Sequence, residues 1–230
     1  MRKFVVSDIH GCVKTFRALL EKIHFSKSDE LYLLGDYIDR GPDSKGVIDT
    51  ILQLKAQQYT LHCLKGNHED GLLSGLKDRE VFYDWLMWGG IQTLRSFKAH
   101  DPAEIPQKYL DFFQSLKLHL EVDEYILVHA GLNFYTDDPL SDQHSLIWIR
   151  NWYADIDYQW LGKRIIVHGH TPISREHIKN LQADLEKARV INIDNGCFAA
   201  IKPHLGFLCA FELEGKELVF QENIDEITWP

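Results

Sequence analysis

The chain has 230 residues, 45% of them hydrophobic, and a formal net charge of −9 at pH 7. That length suits one large domain over residues 1–230 with ample room for a buried core, and the ordinary composition excludes a largely disordered chain. The acidic balance argues against a nucleic-acid partner, since such affinity is built mainly on lysine and arginine, but leaves room for a small phosphorylated ligand whose charge bound cations offset.

The first apolar run, Phe4-Val5-Val6, is too short and too early for a secretory signal. No stretch reaches the roughly 18 uninterrupted apolar residues that span a bilayer. Cys12, Cys63, Cys197 and Cys209 are spaced too irregularly for a disulfide framework or a zinc knuckle. A cytoplasmic protein with reduced thiols and no membrane partner is the expectation.

Lys3 to Val6 predicts a strand that empties into Ser7-Asp8-Ile9-His10-Gly11. Val13, Phe16, Leu19, Leu20 and Ile23 then keep helical spacing. Leu31 to Leu34 predicts a second strand, ending in Gly35-Asp36-Tyr37-Ile38-Asp39-Arg40-Gly41. Strand, helix, strand is a parallel unit with a right-handed crossover, so Asp8 and His10 should lie beside Asp36 at one sheet edge. Pro42-Asp43-Ser44 opens another helix, and Tyr59 to Leu64 predicts a third strand ending in Gly66-Asn67-His68-Glu69.

Asp70 to about Leu118 reads as helical, with two helices joined at Gly89-Gly90. Trp85 and Trp88 read there as core rather than as a stacking platform. Leu118 to Val122 and Tyr125 to Val128 predict a hairpin whose second arm ends in His129-Ala130-Gly131. Arg164 to Val167 ends in His168-Gly169-His170-Thr171-Pro172, and Arg189 to Ile193 ends in Asp194-Asn195-Gly196. Leu205 to Leu213 and Glu217 to Gln221 form a last hairpin. This half reads as β-rich, with no regular helix between its later strands. The expected class is α/β (α+β): two facing mixed sheets with helices outside.

The polar strand ends collect Asp8, His10, Asp36, Asn67, His129 and a histidine at 168 or 170. Carboxylate, amide and imidazole donors without thiolate suit borderline divalent ions such as Mn, Fe or Zn. Six side chains exceed one tetrahedral site and fit two metals sharing a bridging carboxylate. Residues two apart on a strand share a face, so spacing leaves His168 and His170 open.

Asp-x-His-Gly, Gly-Asp-x-x-Asp-Arg-Gly, Gly-Asn-His-Glu, His-Ala-Gly and Gly-His-Thr, in that order, resemble the calcineurin-like metallophosphoesterase superfamily. The Asp-Arg-Gly form resembles its phosphoprotein phosphatase branch, and the whole looks most like compact bacterial and phage serine/threonine phosphatases of the lambda phosphatase type. Ser7 and Ala130 stand where that branch often has glycine. The resemblance implies a calcineurin-like sandwich in which Asp8 and His10 bind one metal, Asn67, His129 and His170 bind the other, and Asp36 bridges, with manganese the first choice of ion.

It further implies that a water or hydroxide between the metals attacks phosphorus directly. Arg40 and Arg150 would clamp the phosphate, and His68, oriented by Asp39, would protonate the leaving group. Glu69 would support the neighbouring ligands, and Asp194 and Asn195 would shape a loop. Tyr37 is open between lining the cleft and packing in the core, and Arg150 between clamp and structural ion pair. A phosphorylated protein or peptide is the first substrate expectation and a symmetrical hydrolase of dinucleoside polyphosphates the second, ahead of a non-catalytic metal-binding scaffold; other small phosphoesters are further candidates.

Overall fold

The structure is a computed structural model and describes residues 1–227. Its first half runs β1 (Lys3–Val6), α1 (Val13–Lys22), β2 (Glu30–Leu33), α2 (Ser44–Ala56) and β3 (Thr60–Cys63). There follow α3 (Asn67–Gly75), α4 (Arg79–Trp85), α5 (Ile91–Phe97) and α6 (Gln107–Gln114). The second half runs β4 (His119–Val122), β5 (Tyr125–Val128), α7 (Gln143–Trp148), α8 (Tyr158–Leu161) and β6 (Ile165–His168). It continues through α9 (Arg175–Ala183), α10 (Leu185–Ala188), β7 (Val190–Asn192), β8 (Phe207–Glu212) and β9 (Leu218–Glu222).

These strands form two mixed sheets. One has the order β3-β2-β1-β8-β9, with β1, β2 and β3 parallel and β8 antiparallel to both β1 and β9. The other has the order β4-β5-β6-β7, parallel from β5 to β7. In the first, Val6 pairs with Leu33 and Leu33 with Cys63; in the second, Leu127 pairs with Val167 and Val167 with Ile191. The carboxyl ends of neighbouring parallel strands are therefore level, which is how loops far apart in sequence come to one rim.

Side chains alternate between two buried environments, as the period of a strand requires. Val5, Tyr32, Tyr125, Leu127, Val167, Ile191 and Phe211 fill the layer between the sheets. Phe4, Val6, Leu31 and Leu33 turn outward onto Phe16 and Leu19 of α1 and Val47, Ile48 and Ile51 of α2. Ile126, Val128, Ile166 and Val190 turn outward onto Leu146, Trp152 and Leu161. Strands covered on both faces explain why the sequence shows continuous apolar runs instead of alternation.

The expectation that no regular helix lies between the later strands is corrected. α7 and α8 join β5 to β6, and α9 and α10 join β6 to β7, because parallel neighbours need a crossover. Their signal in the sequence is thin: α7 has six residues, and α9 buries only Ile178 fully. The predicted break at Gly89-Gly90 is present as a wide turn, Leu86–Gly90, between α4 and α5. A downstream carboxylate, Asp225, accepts from the N–H groups of Lys14 (3.0 Å) and Thr15 (2.9 Å) and caps the start of α1. Among the described residues no helix is long and apolar enough to cross a membrane.

Because Leu127 sits in the layer between the sheets, Leu127→Ala is expected to lower the unfolding free energy by about 3 kcal/mol in urea denaturation. Ile201, 70% exposed, should change it by no more than about 0.5 kcal/mol when replaced by alanine. Equal effects would contradict the assigned core.

Candidate metal centre and active site

The loops after β1 and β2 are bound to each other by backbone. Ile9 N and His10 N both donate to the Asp36 carbonyl (3.0 and 2.9 Å), and Gly11 N donates to that of Tyr37 (2.8 Å). Glu69, in the first turn of α3, fastens the loops after β2 and β3 together. Its buried carboxylate accepts from Asp36 N (2.9 Å), Tyr37 N (2.8 Å) and Gly66 N (2.9 Å). His10, Asp36, Asp39, Arg40 and His170 all take positive φ, between 46° and 71°. Non-glycine residues rarely adopt that conformation, and such strain collects where surrounding bonds overdetermine the backbone.

Two groups of electron-pair donors result. His129 Nδ1 lies 3.0 Å from the Leu34 carbonyl, an oxygen that only accepts, so the proton sits on Nδ1 and Nε2 carries a lone pair. That Nε2 faces Asn67 Oδ1 at 3.0 Å and His170 Nδ1 at 3.2 Å, and the latter two are 2.9 Å apart. His170 Nε2 is buried without a hydrogen-bond partner. One ligand atom each from Asp36, His129 and His170 lie within 4.8 Å of one another. His129 Nε2 and Asn67 Oδ1 offer lone pairs beside the Asp36 carboxylate, and His170 offers one on whichever ring nitrogen lacks the proton, so this donor set fits a metal ion.

In the second group, His10 Nδ1 donates to the Ile38 carbonyl (2.8 Å), leaving Nε2 3.5 Å from Asp36 Oδ2. His10, Asp36 and His68 again offer atoms within 4.8 Å of each other. The buried Asp8 carboxylate accepts from the His170 N–H at 3.1 Å and from the Ser7 hydroxyl, which ties β1 to the loop after β6. Asp36 therefore stands in both groups, as a shared ligand would.

The electrostatics point the same way. Burial pushes the Asp36 carboxyl well above its usual range, and Asp8 and Glu69 push it further. Burial, then the positive Arg40, drives His10 and His68 far down, and burial also lowers His129 and His170. Neutral imidazoles are the form that ligates a divalent cation, and a cation bound beside Asp36 would supply the positive charge that keeps its carboxylate ionised.

His68 Nδ1 lies 2.6 Å from Asp39 Oδ2. Asp39 is in turn held by Thr93 Oγ1 (2.6 Å) and Trp85 Nε1 (2.8 Å). Burial raises its pKa to about 7, against the opposing pull of those donors and of Arg40. Arg40 Nη1 donates to His10 Nε2 (2.8 Å), and its guanidinium lies over the Phe198 ring, 4.5 Å from the centroid. Arg150 is solvent-exposed, with Nη1 donating to Thr171 Oγ1 (2.7 Å), and lines the same cleft as Arg40.

His168 lies off this centre, with Nδ1 3.0 Å from the Gly169 carbonyl and Nε2 2.6 Å from the Tyr153 hydroxyl. Tyr37 packs in the core and donates to the Leu64 carbonyl (2.7 Å). Asp194 accepts from Gly196 N, and Asn195 Nδ2 donates to the carbonyls of Ile173 and His204, so both shape their loop. Trp85 is core, as expected, but Trp88 is partly exposed and lines the cleft. In the turn at Gly89, Leu86 and Trp88 are partly buried against the core and Met87 is exposed.

Calcineurin-like phosphoesterases match this chain over residues 1–195. The chain belongs to that family. Its fold is that of a metallophosphoesterase, and its paired histidine–aspartate groups could hold metal ions. An asymmetrical bis(5'-nucleosyl)-tetraphosphatase PrpE of Oceanobacillus iheyensis is 26% identical, over 95% of this chain and 91% of that protein. A solved structure of a candidate diadenosine tetraphosphatase superposes with a TM-score of 0.66 at 20% identity, covering 98% of this chain and 95% of its own. A protein serine/threonine phosphatase from Saccharomyces cerevisiae superposes with a TM-score of 0.65 at 14% identity, covering 100% and 81%. These two likenesses concern the fold.

Thr93, Trp85 and Phe198 support the phosphoesterase site from elsewhere in the chain, and no motif spacing marks them. Glu69→Gln turns an amide N–H₂ toward at least one of the backbone donors that the carboxylate now accepts. It is expected to cost about 2 kcal/mol in stability and to reduce metal content, read by thermal melting and by elemental analysis. Full metal content at full stability would show that Glu69 does not hold these loops.

Proposed function

We propose that this chain is a two-metal hydrolase whose substrate is a dinucleoside polyphosphate. The observation that supports it is the convergence of Asn67, His129 and His170 on a buried Asp36 that also faces His10. Two divalent cations, held by Asp8, His10 and Asp36 and by Asp36, Asn67, His129 and His170, would supply Lewis acidity and an acidified water, manganese first and iron or zinc next.

The chain's own residues do the rest. Arg40 and Arg150 line one cleft and neutralise non-bridging oxygens as charge shifts in the transition state. Asp39 fixes the His68 ring through Nδ1; with the Asp39 carboxyl protonated, as its pKa of about 7 allows, it donates to Nδ1, and the imidazole keeps its own proton on Nε2 to give to the departing oxygen. Both arginines and His68 accompany the full ligand set, which speaks against a non-catalytic scaffold.

Relatives named as asymmetrical tetraphosphatases support the nucleotide substrate over the phosphoprotein that sequence reading placed first. The phosphoprotein stays as the second reading, favoured by the Asp39-Arg40-Gly41 form of the motif. A cytoplasmic setting with free thiols goes with either, and the four cysteines are free and buried.

Manganese-loaded protein is expected to cleave diadenosine tetraphosphate more efficiently than a phosphothreonine peptide. Chelation should abolish turnover and added manganese restore it. Products tell the cut: ATP and AMP if asymmetrical, two ADP if symmetrical. Preference for the peptide would move the chain to the phosphoprotein class.

For His68→Asn, loss on a phosphoserine peptide should reach roughly a hundredfold or more, against a far smaller loss on nitrophenyl phosphate. The alkoxide needs the proton and the phenolate does not. Equal losses on the two would remove His68 from the acid role.

A further inference from the structure

Trp88 stands on the wall of the phosphate cleft with no part in the chemistry above. The cavity holds about 730 Å³, in the range of sites that enclose a whole small molecule. Its floor is polar, from Arg40, His68 and His170, and its upper wall is apolar and aromatic, from Met87, Trp88 and Trp148. Met87 is 83% exposed, an apolar chain left in water beside the indole.

The indole is fixed in place. Its benzo edge lies against Gly71 of α3, where even a Cβ would come within 2.8 Å of Cζ3. Its turn is bound to Arg40, with Arg40 N donating to the Gly89 carbonyl (3.2 Å) and Arg40 Nε to that of Trp88 (3.4 Å). Gly89 takes φ +114°, and a Cβ there would meet Arg40 at 2.8 Å. Trp88 meets Trp148 and His68 edge-on, at 73° and 75°, so neither ring is stacked over it. Trp148 differs, with His144 lying nearly parallel to it at 17°.

We infer that Trp88 is a nucleobase shelf, on which the base of a nucleotide stacks while Arg40 holds its phosphate. The inference rests on the nucleotide reading above and names the residue that makes it a nucleotide site. Shelf and phosphate group share one hydrogen-bonded turn, so the spacing between base and phosphorus is set by backbone. Lys202 on the rim of the same cavity offers a cation to the remaining phosphates. Stacking on a flat ring accepts any base, so the shelf selects nucleotides as a class.

The test compares AMP with ribose 5-phosphate, which carries the same phosphate without the base. Isothermal titration into the manganese-loaded protein should show AMP binding about tenfold tighter. Trp88→Ala should bring the two ligands to near parity, and Trp88→Phe should keep most of the preference. No preference in the parent protein, or a preference that survives Trp88→Ala, overturns the shelf.

Diadenosine tetraphosphate turnover, measured in parallel, separates the two claims. Turnover without a base preference removes the shelf and leaves the substrate. A Trp88-dependent preference without turnover keeps the shelf and removes that substrate.

Discussion

The carboxylate of Asp36 is buried beneath converging strand ends, with Asp8 and Glu69 as its charged neighbours and neutral histidines around it. A protein does not keep a negative charge in such a place without a partner. The surrounding groups offset it only in part: the backbone N–H of His68 donates to Asp36 Oδ1 (3.1 Å) and the positive Arg40, turned onto His10, favours the ionised form, while His129 and Asn67 present lone pairs. The imbalance suits the candidate centre to a cation. The strained backbone at His10, Asp36, Asp39, Arg40 and His170 keeps it from relaxing into an ordinary hydrogen-bonded core.

What resists that relaxation is mostly backbone. Glu69 binds the loops after β2 and β3 through three N–H groups, and the Asp36 carbonyl takes two more from the loop after β1. Ligand side chains thus hang from a frame whose own hydrogen bonds are internal and satisfied. The level ends of β1 to β3 and of β5 to β7 place that frame at one rim, where loops vary without disturbing the sheets.

The loops of the candidate site were legible as loops that meet because their polar residues are local to strand ends. Asp8, His10, Asp36, Asn67, His68, His129 and His170 each follow a short apolar run, and level parallel strands bring run-ends together. Both sheets and the first-half helices were legible for the same reason, since Phe16, Leu19, Val47 and Ile51 keep a clear period. α9 was not, because one buried isoleucine in nine residues leaves little pattern. Thr93 and Trp85 were not either: they reach Asp39 from 54 and 46 residues away, and nothing local marks such a contact. Trp88 was read as core along with its apolar neighbours; it packs partly against the core but, at the turn between α4 and α5, also lines the cleft.

The cap on α1 carries a consequence for biosynthesis. That helix begins just after the His10 loop, and Cys12 at its start offers no side-chain cap. The oxygen that completes it belongs to Asp225, 210 residues downstream of Thr15. On the ribosome, α1 therefore lacks this cap until the chain has been made through Asp225, past every described helix.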